Sequence, residues 1–358
     1  MRILLATDAW EPQVNGVVRT LTRTVAECRA MGHELDVVTP AQFRTLPAPT
    51  YPEIRLAVGA YEPMQQRFRE FEPEAIHIAT EGPVGLAARR VCLDWKLPFT
   101  TSYHTRFPEY IAARFPVPSR AVYAYMRWFH RPSGRVMVAT PSFREELERR
   151  GFRNLSPWSR GVDTDLFHLR PAGEPGPLDH LPRPIFLNVG RVAVEKNIEA
   201  FVSLDLPGSK VVVGDGPLRE ALERRYPGAV FTGAKFGPEL AAHFAAADVF
   251  VFPSLTDTFG LVILEAMATG SPVAAYPAPG PIDIIPGSGA GVCDEDLRTA
   301  CLACLELDRA DARAYALRFS WRACTEEFVR NLQPYPEPEK TRFWRRLRRL
   351  ARLRRRAA

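Results

Sequence analysis

The sequence predicts an α/β chain of two doubly wound domains joined by a linker, and three observations predict it. Short apolar runs that read as buried parallel strands alternate with helical stretches in both halves. Glycines follow several of those runs, at Gly16 and from Gly214 to Gly216, giving the strand, turn, helix order of doubly wound sheets. Between the halves, residues 169–184 are rich in Pro and Gly and carry no periodicity. At 358 residues the chain is long enough for two cores, predicted at 1–168 and 185–315.

Composition narrows the class. Charged residues at 25% and hydrophobics at 46% are ordinary for a soluble protein, and no apolar run is long enough to span a bilayer. MRILLATDAW is too short in its apolar part for a signal peptide and reads as a first strand. Six scattered cysteines fit reduced thiols and a cytoplasmic location, and the lone CxxC at Cys301 and Cys304 falls on a helical pattern with no second pair for a metal.

In chain order, residues 2–7 and HELDVVTP read as strands, with a helix between them from Gly16, Val17, Leu21 and Val25 inward, to a stop at Gly32. There is no G-x-G-x-x-G, so nicotinamide binding is not indicated. Ala75 to Ala79 reads as another strand, which puts Glu81 and Gly82 at a strand's carboxyl end, where open α/β sheets hold ligands. PFTTSYH brings His104 to the same edge, with Arg106 and Glu109 behind it. Residues 110–135 carry five arginines among Tyr, Phe and Trp and no acid. That texture suits a snorkelling helix face or a patch that meets anionic lipid head groups. Val136 to Ala139 is a strand and SFREELERRGF a helix.

The second domain opens with the strand PIFLNVG, and Arg191 and Lys196 follow it five apart. Two cations there are placed to neutralise a diphosphate as leaving-group charge grows; the plainer reading is surface charge at a helix start. KVVVGDGP is the next strand and glycine turn, and VFTGAKF follows. The most informative stretch is PSLTDTFGLVILEAMATG, Pro253 to Gly270. It runs from a buried strand, Val249 to Phe252, past Asp257 and Phe259-Gly260-Leu261 into an apolar helix whose one charge is Glu265. The helix would open with free N–H groups at a strand's carboxyl edge, where phosphates bind. Asp257 and Glu265 would stand about two turns, roughly 12 Å, apart. One can serve a sugar's hydroxyls and the other a ribose diol, or the pair is an N-cap and a helix carboxylate facing an arginine.

These motifs resemble the retaining glycosyltransferases of family four, whose Glu-x7-Glu donor signature matches the run with Asp257 in the first position, and whose Gly-Arg-x4-Lys motif matches Arg191 and Lys196. The resemblance covers about residues 1–332 and is nearest the bacterial lipid-linked mannosyl-, glucosyl-, glucuronosyl- and sulfoquinovosyl-transferase subgroup, through NGVVRT, SYHTRFPEY, GRVAVEKN and TDTFG. It implies the GT-B fold, two Rossmann-like domains facing across a cleft, with the first on the acceptor side. It implies transfer of a sugar from a nucleoside diphosphate to a hydroxyl with retention, without metal or cofactor. Catalytic roles fall to His104, Arg191 and Lys196; donor binding to Gly16, Asp257, Phe259, Gly260, Leu261 and Glu265; and the acceptor side to Glu81, Arg106 and Glu109. With no convincing nucleophile in the sequence, the leaving phosphate oxygen is expected to assist deprotonation of the acceptor. The favoured donor is of the UDP-glucose or UDP-glucuronate type with diacylglycerol as acceptor, and the alternative is GDP-mannose with a lipid or polysaccharide. WSRGVDTDLF resembles the exit from the first domain, and residues 316–332 the helix that crosses back to it.

Charge is divided unevenly. Nine arginines and no acid lie between Thr341 and Ala358, so the net +6 becomes −3 for the rest. In the tail, 333–358, Phe343, Leu347 and Leu350 recur at helical spacing with Trp344 and Ala351 beside them, a narrow apolar stripe among arginines. This predicts an amphipathic helix docking the enzyme on the inner membrane leaflet, each arginine adding about 1 kcal/mol near an anionic surface. A disordered basic tail or a nucleic-acid arm needs no such register, and the acidic body argues against nucleic acid. A nucleotide-sugar epimerase of the same fold is the other rival, with no use for His104 or a membrane patch.

Overall fold

A computed structural model describes residues 1–13, 15–48, 54–106, 108–109, 117–336 and 343–344. The chain forms two compact units, one of Met1–Ala139, Arg144–Ser159 and 325–358, the other of Thr140–Phe143 and Arg160–Cys324.

The first unit is built on strands β1 (Arg2–Ala6), β2 (Glu34–Val38), β5 (Ala75–Ile78), β6 (Thr100–Ser102), β7 (Arg135–Val138) and β8 (Leu155–Pro157). They form one parallel sheet in the order β2-β1-β5-β6-β7-β8. The run Ile3 to Ala6 is fully buried because helices cover both faces of a parallel sheet, which is why it reads as continuously apolar. The chain leaves β1 toward β2 and later returns to β5 on β1's other side, so the direction of winding reverses between β1 and β5.

Helix α1 (Gly16–Ala30) is capped by Asn15, whose Oδ1 accepts from the Val17 and Val18 amides, both at 3.0 Å. Its buried stripe is Val18, Leu21, Val25 and Cys28, so Val18 takes the place expected of Val17. The steps of three, four and three residues place those side chains on one face; Val17, four residues before Leu21, lies at the edge of that face in the first turn and is only partly buried. Helix α2 (Tyr61–Phe71) buries Met64 and Phe68, and β3 (Arg44–Pro47) pairs antiparallel with β4 (Arg55–Val58). Neither was anticipated, since both lie in polar, proline-punctuated sequence.

Helix α3 (Pro83–Trp95) has no local side-chain cap. The cap comes from Asp8, just past β1, whose carboxylate accepts from the Val84 and Gly85 amides at 2.8 and 3.3 Å and from Thr80 Oγ1 at 2.8 Å. A Cβ on Gly82 would stand 2.5 Å from the Asp8 carboxyl carbon, so the cap requires glycine there. Burial holds this carboxyl above the usual aspartate range, against the lowering effect of the amide bonds. Asp8→Ala is expected to cost about 1–2 kcal/mol of stability, the scale of a lost N-cap, with Asp8→Asn losing less because it keeps one acceptor. Chemical denaturation of the three proteins checks the ranking.

Two residues of the basic tail enter this core. Trp344 is 2% exposed and packs edge-on against Trp95 at 6.4 Å, with Phe343 at 6.2 Å from the same ring and 5.8 Å from Tyr335. The sequence reading gave Phe343 and Trp344 to a membrane-facing stripe. Instead they cover the apolar surface that Trp95 and Phe68 leave at the end of α3. The stripe's other members, Leu347, Leu350 and Ala351, lie outside the described residues.

The second unit repeats the architecture with β9 (Ile185–Val189), β10 (Ser209–Val213), β11 (Ala229–Gly233), β12 (Val249–Phe252), β13 (Val273–Ala275) and β14 (Gly291–Cys293). Its parallel order is β11-β10-β9-β12-β13-β14, so the winding reverses between β9 and β12. Phe186, Phe201, Val212 and Val251 are fully buried in its core. Cys301 and Cys304 are free thiols buried there, which leaves them a packing role. Among the described residues no helix is long and apolar enough to cross a membrane.

Candidate active site

In open α/β sheets ligands sit outside the carboxyl ends of the strands where winding reverses. In the second unit that point lies between β9 and β12, and the loops leaving these two strands, with the helix that follows β12, carry every donor-side residue expected from this half of the sequence. The β9 loop runs through Gly190 and exposed Arg191 into a single 3-10 turn, Val194–Lys196. It is fastened to the next strand's loop: Gly190 N donates to Val213 O at 3.0 Å and Val192 N to Asp215 O at 2.9 Å. A Cβ on Gly214 would fall 1.8 Å from Gly190 O, and one on Gly216 2.5 Å from Val192 O. The GDG turn is therefore what lets these two loops touch.

The β9 and β12 loops are clasped at four points. Asn197 Nδ2 donates to Pro253 O at 3.1 Å, and Ser254 Oγ and Thr256 Oγ1 donate to Glu195 O at 3.3 and 3.2 Å. The fourth is ionic: Lys196 Nζ donates to both oxygens of Asp257, at 2.7 and 2.9 Å. The sequence reading sent Lys196 to a phosphate and Asp257 to a sugar without pairing them. The structure joins them, so a phosphate bound there would share the ammonium's three donors with Asp257.

Helix α9 (Leu261–Ala268) begins after Gly260, which has φ +87°, a conformation glycine adopts without strain. Because the helix starts only at Leu261, Asp257 stands on the loop before it, and the two carboxylates are not separated by two helical turns. Phe259 is buried at the turn, and Glu265 lies inside the helix at 5% exposure. Among the described residues no three His, Cys, Asp or Glu side chains gather to hold a metal ion.

The first unit's reversal lies between β1 and β5, and its edge carries the other predicted residues. Gly16 opens α1, exposed, behind the Asn15 cap. Glu81 Oε1 lies 3.1 Å from His130 Nε2, accepting from it when that nitrogen carries the ring proton, and the Glu81 carbonyl accepts from Tyr125 Oη at 2.5 Å. Helix α4 (Ser119–His130) brings both partners. His104 is 9% exposed, its Nε2 lies 2.8 Å from Ser102 Oγ, and its ring meets Trp158 edge-on. Arg106 bonds Glu146, Glu109 Oε1 accepts from Tyr123 Oη at 2.5 Å, and Arg150 bridges, 2.9 Å from Glu146 and 3.9 Å from Glu109. Burial, and then the bond to Glu109, push the Tyr123 phenol up. Arg106 and Glu109 are thus built into one charged knot beside helix α5 (Pro141–Arg149).

Asp8 and His77 were not singled out from the sequence. Asp8 N donates to Thr80 Oγ1 at 2.6 Å, which ties the β1 and β5 loops together at the reversal point. The signal available was a carboxylate directly after a buried strand. His77 had none, since AIHIA reads as an apolar run.

Comparison with known proteins follows the same division. Residues 14–166 match the model of Glycosyltransferase Family 4, and residues 183–307 match Glycosyl transferases group 1. The chain is 31% identical to the sulfoquinovosyl transferase SQD2 of Arabidopsis thaliana, over 89% of this chain and 70% of that protein. It is 31% identical to a GDP-mannose-dependent alpha-mannosyltransferase of Mycobacterium tuberculosis, over 80% and 81%. It is 25% identical to the alpha-monoglucosyldiacylglycerol synthase of Streptococcus pneumoniae, over 78% and 72%. Among solved structures, sucrose-phosphate synthase from Thermosynechococcus elongatus superposes with a TM-score of 0.72 at 20% identity, over 92% of this chain and 97% of that one.

Proposed function

The chain belongs to glycosyltransferase family 4, and on that premise we propose that it moves a hexose from a nucleoside-diphosphate sugar to a lipid hydroxyl, with diacylglycerol the favoured acceptor. The observation that carries the reading is the Lys196–Asp257 clasp at the β9/β12 reversal, with Arg191 in the same β9 loop and α9 following the β12 loop. Arg191, Lys196 and the first amides of α9 form a cationic edge for a diphosphate whose charge grows as the C1–O bond breaks. Glu265 serves the ribose diol, and Asp257, already turned to Lys196, serves the sugar's hydroxyls. In this reading His104, at the carboxyl edge of the first unit's sheet, acts on the donor sugar. The acceptor hydroxyl attacks the face the phosphate leaves, and the departing phosphate oxygen takes its proton. That sequence of events needs no metal ion and no enzymic nucleophile.

One relative supports the lipid acceptor, being named an alpha-monoglucosyldiacylglycerol synthase. A second reading, GDP-mannose as donor, is supported by the named mannosyltransferase. The test is a panel of UDP- and GDP-sugars offered to the purified chain with diacylglycerol vesicles, read by mass spectrometry. A glycosyl diacylglycerol from one UDP-sugar supports the first reading; product only from GDP-mannose selects the second; no lipid product from any donor removes both.

The membrane side of this proposal has a structural motive in α4. Val122, Met126 and Phe129 face inward, while Arg120, Arg131 and Trp128, 51% exposed, face out. Arg89 lies 4.0 Å over the Trp128 ring and donates to the Trp128 and Phe129 carbonyls, so the outward tryptophan is held rigidly. Such a face suits an anionic head-group layer, with the tail as a second contact. Because Trp344 closes a core, truncation is placed after it. Removing residues 345–358 is expected to reduce flotation with phosphatidylglycerol liposomes in moderate salt; equal flotation would show that the tail is not the anchor.

A further inference from the structure

The proposed function leaves open what fixes the His104 ring, which stands two residues beyond the end of a short strand. Side chains alternate along β6, so Thr101 points to one face, where its Oγ1 meets His130 Nδ1 at 2.9 Å, while Thr100 and Ser102 point to the other. On that second face both hydroxyls grip one buried histidine. His77 Nδ1 is 2.9 Å from Thr100 Oγ1, and His77 Nε2 is 3.1 Å from Ser102 Oγ. Ser102 Oγ then reaches His104 Nε2 at 2.8 Å. Trp158 and Phe328 close around His77 edge-on, with centroids 5.9 and 4.9 Å away, and Trp158 also meets the His104 ring at 5.4 Å.

Proton counting links the two rings. His77 has no exposed surface, and burial pushes its pKa down to about 3, so near neutrality it carries one ring proton. If that proton is on Nδ1 it goes to Thr100. Ser102 must then donate to His77 Nε2, and His104 must donate its own Nε2 proton to Ser102. If the proton is on Nε2 it goes to Ser102, and the Ser102 hydroxyl donates either to His104 Nε2 at 2.8 Å or to Ala79 O at 3.3 Å. Donation to His104 puts that ring's proton on Nδ1, and donation to Ala79 lets His104 keep it on Nε2. In each arrangement the single Ser102 proton is what relates the state of one ring to the other.

We propose that His77 and Ser102 are positioning residues for His104, a buried Thr100–His77–Ser102 chain that anchors the ring through Nε2 and sets its tautomer, leaving Nδ1 as the nitrogen turned away from the chain. The proposal rests on the reading of His104 as a donor-side group, but its first readout does not. Ring nitrogens of His104 are followed by long-range proton–nitrogen correlation in 15N-labelled protein, assigned by difference with His104→Ala. The wild-type chain is expected to show one dominant tautomer. Ser102→Ala and His77→Phe are expected to show a mixture or the opposite tautomer, and Ser102→Thr, which keeps the hydroxyl, the wild-type pattern. In transfer, Ser102→Ala is expected to lower kcat by about tenfold or more with donor KM unchanged, the scale of a misplaced reacting group.

An unchanged His104 signature in Ser102→Ala that melts like wild type overturns the proposal, and if His77→Phe fails to fold, Ser102→Ala decides alone. Wild-type turnover in His104→Ala has a separate meaning: it removes the donor-side reading of His104 and with it any consequence of the chain for transfer, whatever the tautomer data show.

Discussion

Lys196→Ala lowers turnover by at least about 100-fold, the scale of removing one preorganised electrostatic donor from a transition state that gains charge. Arg191→Ala is expected to do the same. The ion pair with Asp257 raises a competing explanation, that the loss is structural, and magnitudes decide against it. Lys196 and Asp257 are 29% and 17% exposed, and a pair so near solvent contributes about 0–1 kcal/mol to stability. The loops it joins keep three other clasps, from Asn197, Ser254 and Thr256. The Lys196→Ala protein should therefore melt close to wild type while losing transfer. Near-wild-type turnover in either variant, measured by nucleoside diphosphate release, would remove the diphosphate assignment.

Glu265→Gln weakens nucleoside diphosphate binding by about 10–100-fold, the affinity equivalent of charge-assisted hydrogen bonds worth roughly 1.5–3 kcal/mol. The side chain is almost wholly enclosed on α9, and an amide of the same shape preserves the packing. Calorimetric titration with UDP and GDP reads the loss. If both affinities hold while the melting temperature drops, Glu265 is a structural carboxylate and the ribose has another partner.

The legible part of this chain was what local pattern encodes. Strands such as Val249–Phe252 announce themselves because a parallel sheet buries both faces, and Arg191 and Lys196 stand out because they follow a strand five residues apart. Pairings across the sheet were not legible. Lys196 and Asp257 are 61 residues apart, Asp8 and Val84 76 apart, and only the strand order brings their loops together. His77 was hidden by its neighbours, since a strand fully buried on both faces gives a polar residue no periodicity to break. Phe343 and Trp344 misled for the converse reason. An apolar stripe among arginines has the same pattern whether it meets lipid or a protein core, and the surface that decided it belongs to Trp95.

The most direct test of the central claim follows the sugar itself. The purified chain is given the donor selected by the panel, labelled with 13C at the anomeric carbon, together with diacylglycerol vesicles, and the label is traced by NMR. The account predicts that it moves to the lipid with its anomeric configuration retained, one nucleoside diphosphate released for each glycolipid formed. Label that stays on the nucleotide in an epimerised sugar, appears only as free sugar, or reaches the lipid with inverted configuration would contradict it.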